Sequence, residues 1–375
     1  MTKLDELIQE FCPNGVEYCE LGEILTIKNG SDYKHLGTGK VPVYGSGGIM
    51  TYVDQFSYDK PSVLIPRKGS VDKLYYVETP FWNVDTIFYT DIDSSRIAPK
   101  YLFYCLQREH LEQYNTAGGV PSLTQTVLNK VQIPVPPLPV QREIVRILDN
   151  FTELTAELTA ELTAELTARK QQYAYYRDEL LTMSNEQVAM CNLGDIADIY
   201  TGSKPDELLD TISEYEYINA GTGNSGYTKQ PNCEGDTVTT PSRGQGGIGY
   251  VGYQSKPFYL GPLCYAIRSQ KQEFIINKYI YHWLISHSSD ILVLKNEGGT
   301  PALNKIDLSK IKIKVPSLSV QNRLVDVLDN FDAICSDLNI GLPAEIEARQ
   351  KQYEFYRDKL LSFKEVSTNE QWKEV

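Results

Sequence analysis

The amino-acid sequence predicts an α+β protein: two mixed, β-rich globules separated by two long antiparallel helical regions, arranged as a pseudo-two-fold internal repeat. Three observations predict it. The segment GGVPSL at 118–123 recurs as GGTPAL at 298–303, and at the same offset of 180 residues LDNF (148–151) recurs at 328–331 and ARKQQYAYYRDELL (168–181) as ARQKQYEFYRDKLL (348–361). The remainder of each half shares only punctuation: LGEI at 21–24 with LGDI at 193–196, PRKG at 66–69 with PSRG at 241–244, and Lys100-Tyr101 with Lys278-Tyr279. Finally, the shared segments have helical periodicity while the divergent ones alternate in short β-branched runs.

The first divergent segment, about 1–138, holds SVLIPRKG, DKLYYVE and VDTIFYT, short runs bounded by Gly and Pro that read as strands. The second, 183–318, holds DTVTTPSRG and IGYVGY. Each ends in a more helical stretch, PKYLFYCLQREHLEQY and INKYIYHWLISHSSDIL, and neither contains two clean βαβ units.

The shared segments read as helix. Pro139 suits the first helical position after the Pro-rich IPVPPL, and Ser319 is expected to cap the second helix. TAEL occurs at 155–158, 159–162 and 163–166 after a degenerate FTEL, so Leu154, Leu158, Leu162 and Leu166 form one slowly rotating ridge beside a solvated glutamate face. Tyr173, Tyr176 and Leu180 continue at i, i+3 and i+7, which suits a helix–helix seam. The expected seam and partner-docking residues are Leu148, Phe151, Leu158, Leu162, Tyr173, Tyr176 and Leu180, with Leu328, Phe331, Tyr353, Tyr356 and Leu360 in the second copy. Gln141 to Leu181 and Gln321 to Leu361 are each 41 residues; a continuous helix of that length spans roughly 60 Å. Gly341 and Pro343 predict a break in the second, because Pro inside a helix costs about 3 kcal/mol.

Composition narrows the functional classes. Hydrophobic residues are 41% and charged residues 23%, which excludes disordered and collagen-like chains. There are 36 basic and 49 acidic residues, a net charge of −13, spread as −4, −3, −2 and −4 over 1–138, 139–182, 183–318 and 319–375. Neither globule is a basic module, so any nucleic-acid contact must come from local basic loops. No uncharged apolar run is long enough for a membrane span, and the start MTKLDELIQEF lacks an apolar signal region, so neither a membrane nor export is expected. Seven scattered cysteines without a C-x-x-C pair read as reduced thiols, not as a zinc site.

Catalytic constellations are mostly absent. Gly39-Lys40 is followed by Val41 and lacks the first glycine of a P-loop, and the four histidines form no H-E-x-x-H. No Asn-Pro-Pro or Asp-Pro-Pro is present to hold a target base in an amino-methyltransferase. What remains is a candidate recognition surface. In the first globule Arg67, Lys68 and Lys73 flank a glycine in a loop between strands, with Tyr44, Ser46 and Tyr75 near it in the pattern. In the second, Ser242, Arg243 and Gln245 occupy the matching loop, with Asn219, Asn224 and Lys229 upstream. Side chains of these types read base edges or clamp phosphates. Solvated turn charges are the alternative.

Over essentially its full length the chain resembles the specificity subunits of type I restriction-modification systems. The resemblance rests on the Pro-rich leads into Gln141 and Gln321, the two LDNF segments, the TAEL repeat, the paired Q-Y-x-x-Y-R-D-x-L-L segments at 172–181 and 352–361, and the opening CPNGVEY at 12–18. It implies two target recognition domains (1–138 and 183–318), a central spacer with TAEL repeats (139–182) and a distal spacer (319–375). It implies further that each domain reads one half of a split double-stranded DNA target while two modification subunits dock on the spacers. S-adenosylmethionine would belong to those subunits, and ATP and Mg to restriction subunits where a system has them. No cofactor, metal or catalytic residue is expected in this chain, and the complex is expected to be cytoplasmic. A repeated helical element is what two identical partners require, and divergent globules are what two unrelated half-sites require. The rival reading is a coiled-coil structural adaptor that binds no DNA.

Overall fold

The computed structural model describes residues 2–115, 121–182, 188–244, 246–296, 300–336 and 341–366. The first half runs α1 (Lys3–Phe11), β1 (Tyr18–Glu20), α2 (Leu21–Ile24), β2 (Leu25–Asn29), β3 (Thr38–Gly45), β4 (Gly48–Val53), β5 (Ser62–Pro66), β6 (Tyr75–Val77), β7 (Trp82–Asn83), β8 (Ile87–Ile92), α3 (Pro99–Arg108), α4 (Gln125–Leu128), β9 (Gln132–Pro134) and α5 (Leu138–Thr182). The second runs β10 (Ala189–Asn192), α6 (Leu193–Ile196), β11 (Ala197–Thr201), β12 (Tyr215–Ile218), β13 (Tyr227–Thr228), β14 (Thr237–Pro241), β15 (Gly252–Gln254), β16 (Tyr259–Leu260), β17 (Cys264–Ser269), α7 (Asn277–Ser286), α8 (Ser288–Val293), α9 (Lys305–Leu308), β18 (Lys312–Val315), α10 (Leu318–Ser336) and α11 (Leu342–Leu360). The α+β class and the internal repeat are as expected.

The sheets show the repeat most directly. The antiparallel order β2-β8-β5-β6 is answered by β11-β17-β14-β15, and β4-β3-β7 by β13-β12-β16. In both smaller sheets the third strand runs parallel to the middle one. β5 is buried at every residue because its two faces serve two cores. Val63 and Ile65 join the core that holds Leu102 and Leu106 of α3, whereas Leu64 joins Phe81 and Ile87 on the other side. A continuous apolar run is the expected sequence for such a doubly covered strand.

The chain divides into two compact units, Met1–Glu161 with Glu347–Val375, and Leu162–Ile346. This partition cuts through the helical regions, since each part of a helix packs with its own globule. Gln141 and Gln321, wholly buried, show how a helix is attached. Gln141 Nε2 donates to the Arg96 and Pro136 carbonyls at 2.9 and 2.7 Å, and its Oε1 accepts from the Ala98 N–H at 2.8 Å. Gln321 repeats the pattern with Phe274 (2.9 Å), Pro316 (2.8 Å) and Ile276 (3.1 Å). An apolar side chain in that place strands three buried backbone groups. Gln141→Leu is therefore expected to destabilise its unit by about 3 kcal/mol, read as a lowered urea midpoint; an unchanged midpoint would remove the stapling role.

The other shared punctuation has the same purpose. Asp149 of the first LDNF receives Lys100 at 2.9 Å and the Tyr104 hydroxyl at 2.6 Å. Asp329 of the second receives Lys278 at 3.5 Å and His282 Nε2 at 2.8 Å. Tyr101 and Tyr279 donate to the Pro134 and Lys314 carbonyls. The repeated Lys-Tyr pairs thus tie α3 and α7 to the helix and strand that follow.

Within the first unit α5 and α11 run antiparallel: the Phe151 and Tyr356 rings are 6.1 Å apart, and Thr152 Oγ1 lies 3.0 Å from Tyr353 Oη. Within the second, α5 lies antiparallel to α10. Burial first and then Asp332 push the Tyr173 phenol up to about 12, and Tyr173 Oη is 3.4 Å from His282 Nδ1. Burial, followed by Asp332, raises the Cys335 thiol against the pull of Lys170 and Arg169.

The seam differs from the expected one in phase. Leu148, Leu162 and Leu328 are buried; Leu158, Tyr173, Phe331 and Tyr353 are half-buried. Tyr176 is instead exposed, at 42%, as is Leu154 (60%), whereas Phe151 (37%) and Tyr356 (41%) meet across α5 and α11 with part of each ring in solvent. Leu180 and Leu360 are only half-buried, and their neighbours Leu181 and Leu361 fill the core. The covered stripe follows i, i+4 and i+8 through Tyr173, Arg177 and Leu181, and through Tyr353, Arg357 and Leu361. That is the ridge along which the end of each helix packs on its globule, shifted from the i+3, i+7 line expected there, while Phe151 and Tyr356 still meet between the helices. Helix starts also shift: α5 begins at Leu138 and α10 at Leu318, so Pro139 is the second helical residue, and so is Ser319, whose hydroxyl lies 3.1 Å from that of Ser317. The expected break is present, with α10 ending at Ser336 and α11 beginning one residue after Gly341, Pro343 in its first turn.

Candidate nucleic-acid interface

In each unit three separate loops are drawn to one place. In the first, Gly69 has φ +83°, a conformation that glycine adopts without strain, and its N–H donates to the Pro121 carbonyl at 3.0 Å. The Leu123 N–H returns to the Arg67 carbonyl at 2.9 Å, and Lys68 bridges to Ser122. In the second, Gly244 has φ +119° and donates to Pro301 at 3.1 Å, Leu303 donates to Ser242 at 2.9 Å, and Arg243 bridges to Ala302. PRKG and PSRG are therefore clasped, bond for bond, by the ends of the two GG-x-P-x-L segments. The third loop follows β3 or β12. The Tyr75 hydroxyl donates to the Ser46 carbonyl at 3.2 Å, and the Ser46 N–H donates to the Thr86 hydroxyl, while the Thr86 carbonyl accepts from Arg67 N–H. In the second unit the corresponding neighbour of Gly244 is Ala220.

The clasp puts Lys68 and Arg243 in equivalent positions, both exposed at the apex of the turn. The other candidate residues fall into distinct places. Lys73 is exposed in the same loop, with its N–H on the Ser70 carbonyl. Arg67 is half-buried, its guanidinium 5.8 Å from the Phe88 ring centre. Tyr44 is half-buried among Tyr75 and Phe81, and burial raises its phenol. Asn224 is exposed and accepts from the Gly226 N–H, shaping its own turn. Lys229 is exposed in an ion pair with Glu207 at 2.8 Å.

Two side chains expected at the surface are not presented there. Ser242 is 6% exposed, because it matches Arg67 in the clasp and its backbone is bonded on both sides. Asn219 is turned inward, its Oδ1 accepting from the Leu263 N–H at 2.9 Å. Gln245 lies outside the described residues. Reading the loops singly missed the clasp, although both halves of it were already visible as repeated punctuation.

The family model of the type I restriction modification DNA specificity domain matches residues 13–168 and again 185–348. The chain belongs to this family. It is 30% identical to a putative type I restriction enzyme specificity subunit of Haemophilus influenzae, over 96% of this chain and 98% of that one. It is 35% identical to a type I restriction enzyme specificity subunit of Escherichia coli, over 74% of each. Among solved structures it resembles a chain described with complex assembly and conformational transition of the type I R-M system, with TM-score 0.67, 15% identity and coverage of 93% and 98%. It also resembles the system's S subunit from M. genitalium, with TM-score 0.52, 21% identity and coverage of 92% and 96%. As a type I DNA specificity subunit it is the sequence-recognising component of a restriction-modification complex, a non-catalytic one. The adaptor reading is not favoured. Among the described residues no helix is long and apolar enough to cross a membrane, and all seven cysteines are free.

Proposed function

We propose that each unit reads one half of a bipartite double-stranded DNA target through its own clasp. Residues 1–138 and 183–318 are the target recognition domains; 139–182 and 319–375 are spacers that set half-site separation and dock two modification subunits. The contact residues assigned are Lys68 and Lys73, with Ser46 and Tyr44 behind them, in the first unit, and Arg243, Asn224 and Lys229 in the second. The observation that carries this reading is the clasp: an identical backbone frame presenting different side chains is what two readers of unrelated sequences need. Methyl transfer, with its S-adenosylmethionine, belongs to the modification subunits, and ATP and Mg to restriction subunits.

The even spread of acidic charge adds a quantitative expectation. With local excesses of −4, −3, −2 and −4 along the chain, the lone subunit has little long-range attraction for phosphates. Gel-shift titration should give weak binding by the isolated chain, and a gain of at least ten-fold, with sequence selectivity, when modification subunits are added. Tight, selective binding by the isolated chain would contradict the shared phosphate clamp.

A further inference from the structure

The turn beside the first clasp carries large apolar side chains in solvent. β3 and β4 meet at Gly45–Gly48, and their ladder slips there: Val43 pairs with Thr51, but Tyr44 pairs with Ile49, leaving Met50 with no residue opposite. A bulge of this kind bends its strand and re-aims a side chain. Met50 is 57% exposed, with Ile49 and Tyr52 at 49% and 50%. Gly45 makes room for it, since a Cβ there would stand 2.6 Å from Met50 Sδ. The thioether therefore lies across the turn whose Ser46 carbonyl is held by Tyr75, and Ser46 Oγ is in turn 3.8 Å from where a Cβ on Gly69, the residue after Lys68, would stand.

Contact with water gives no reason to expose three large apolar side chains within four residues, but the floor of the major groove does. The apolar group displayed there is the C5 methyl of thymine, and a flexible, polarizable thioether can cover it closely. We infer that Met50 is a specificity-determining residue of the first unit, its side chain covering a thymine methyl in the half-site which that unit reads. The inference rests on the proposal that this unit reads DNA. The corresponding loop of the second unit, 219–226, is Asn-Ala-Gly-Thr-Gly-Asn-Ser-Gly and offers no large apolar side chain. Met50→Ala should therefore affect one half-site alone.

The experiment uses the full complex on its own target, with the half-sites first assigned by methylation mapping. Thymines are replaced one at a time by deoxyuridine, which removes the methyl and nothing else. One replacement in the first unit's half-site is expected to weaken binding about four-fold. Met50→Ala should cost the same on normal DNA and lose nothing more on the uridine duplex, and uridines in the other half-site should be silent toward this variant. The inference is overturned if the half-site has no T·A pair, if every uridine there is neutral, or if the two losses add. It is equally overturned if Met50→Ala impairs subunit assembly and leaves DNA affinity intact, which would assign the patch to a protein partner. A wild-type complex with no bipartite preference would overturn the underlying reading as well, and would be seen before any uridine is introduced.

Discussion

Deleting one TAEL tetrapeptide, residues 159–162, is expected to shorten the separation of the two half-sites by about one or two base pairs and to leave both half-site sequences unchanged. Three features of α5 support this. The repeat lies inside a helix without interruption from Leu138 to Thr182, and Thr-Ala-Glu-Leu includes three residues of high helix propensity, so a shorter helix remains a helix. The repeats are identical, so the remaining ones restore the side-chain pattern after the cut. Four helical residues contribute about 6 Å of rise and about 40° of net rotation, against 3.4 Å for one base step. Nothing in the clasps depends on these residues. Methylation mapping of the deletion variant reads both quantities at once: a changed half-site, or an unchanged separation, would remove the metrical role of the repeat.

Lys68→Ala and Arg243→Ala should each weaken binding to the cognate duplex by on the order of ten-fold or more. A good bidentate contact to a base edge contributes about 1–3 kcal/mol of discrimination, and the clasp holds both side chains at the same exposed apex. Arginine and lysine are not interchangeable there. The planar fork of Arg243 matches a guanine edge, whereas Lys68 is a point charge that can also serve a phosphate. Titration against salt separates these roles. Removing a side chain that reads a base edge leaves the salt dependence nearly unchanged and relaxes one position. Removing one that clamps a phosphate weakens all sequences alike and lowers the salt slope by about one. Arg243→Ala is expected to follow the first pattern. A loss of affinity below two-fold in both variants would remove the apex residues from the interface.

Much of the architecture was legible because backbone attachment is encoded by repeated residues. Gln141 and Gln321 recur since each makes the same bonds in each unit, and so do the Lys100–Asp149 and Lys278–Asp329 pairs. The phase of the helical stripe was not legible: apolar spacing at Tyr176 and Leu180 fits i+3 and i+7, and only the packing shows that Arg177 and Arg357 occupy the buried line. An arginine there has no apolar signature, and its Asp178 or Asp358 neighbour looks like an ordinary exposed pair. The parts of the clasp were legible as repeated punctuation, the burial of its side chains less so. Ser242 and Arg243 are adjacent and both polar, but the alternation set by the clasp buries one and exposes the other. Met50 has no sequence signature, because a bulge in the ladder, not a residue pattern, aims it.

The most direct measurement is single-base methylation mapping of cells carrying the complete system with the wild-type chain, Lys68→Ala or Arg243→Ala. The wild type should show one bipartite motif. Arg243→Ala should loosen a base in one half alone, Lys68→Ala should affect the other half alone, and the separation should stay constant. Loosening of both halves by a single substitution, or of the same half by both, would contradict the reading of one half-site by each unit.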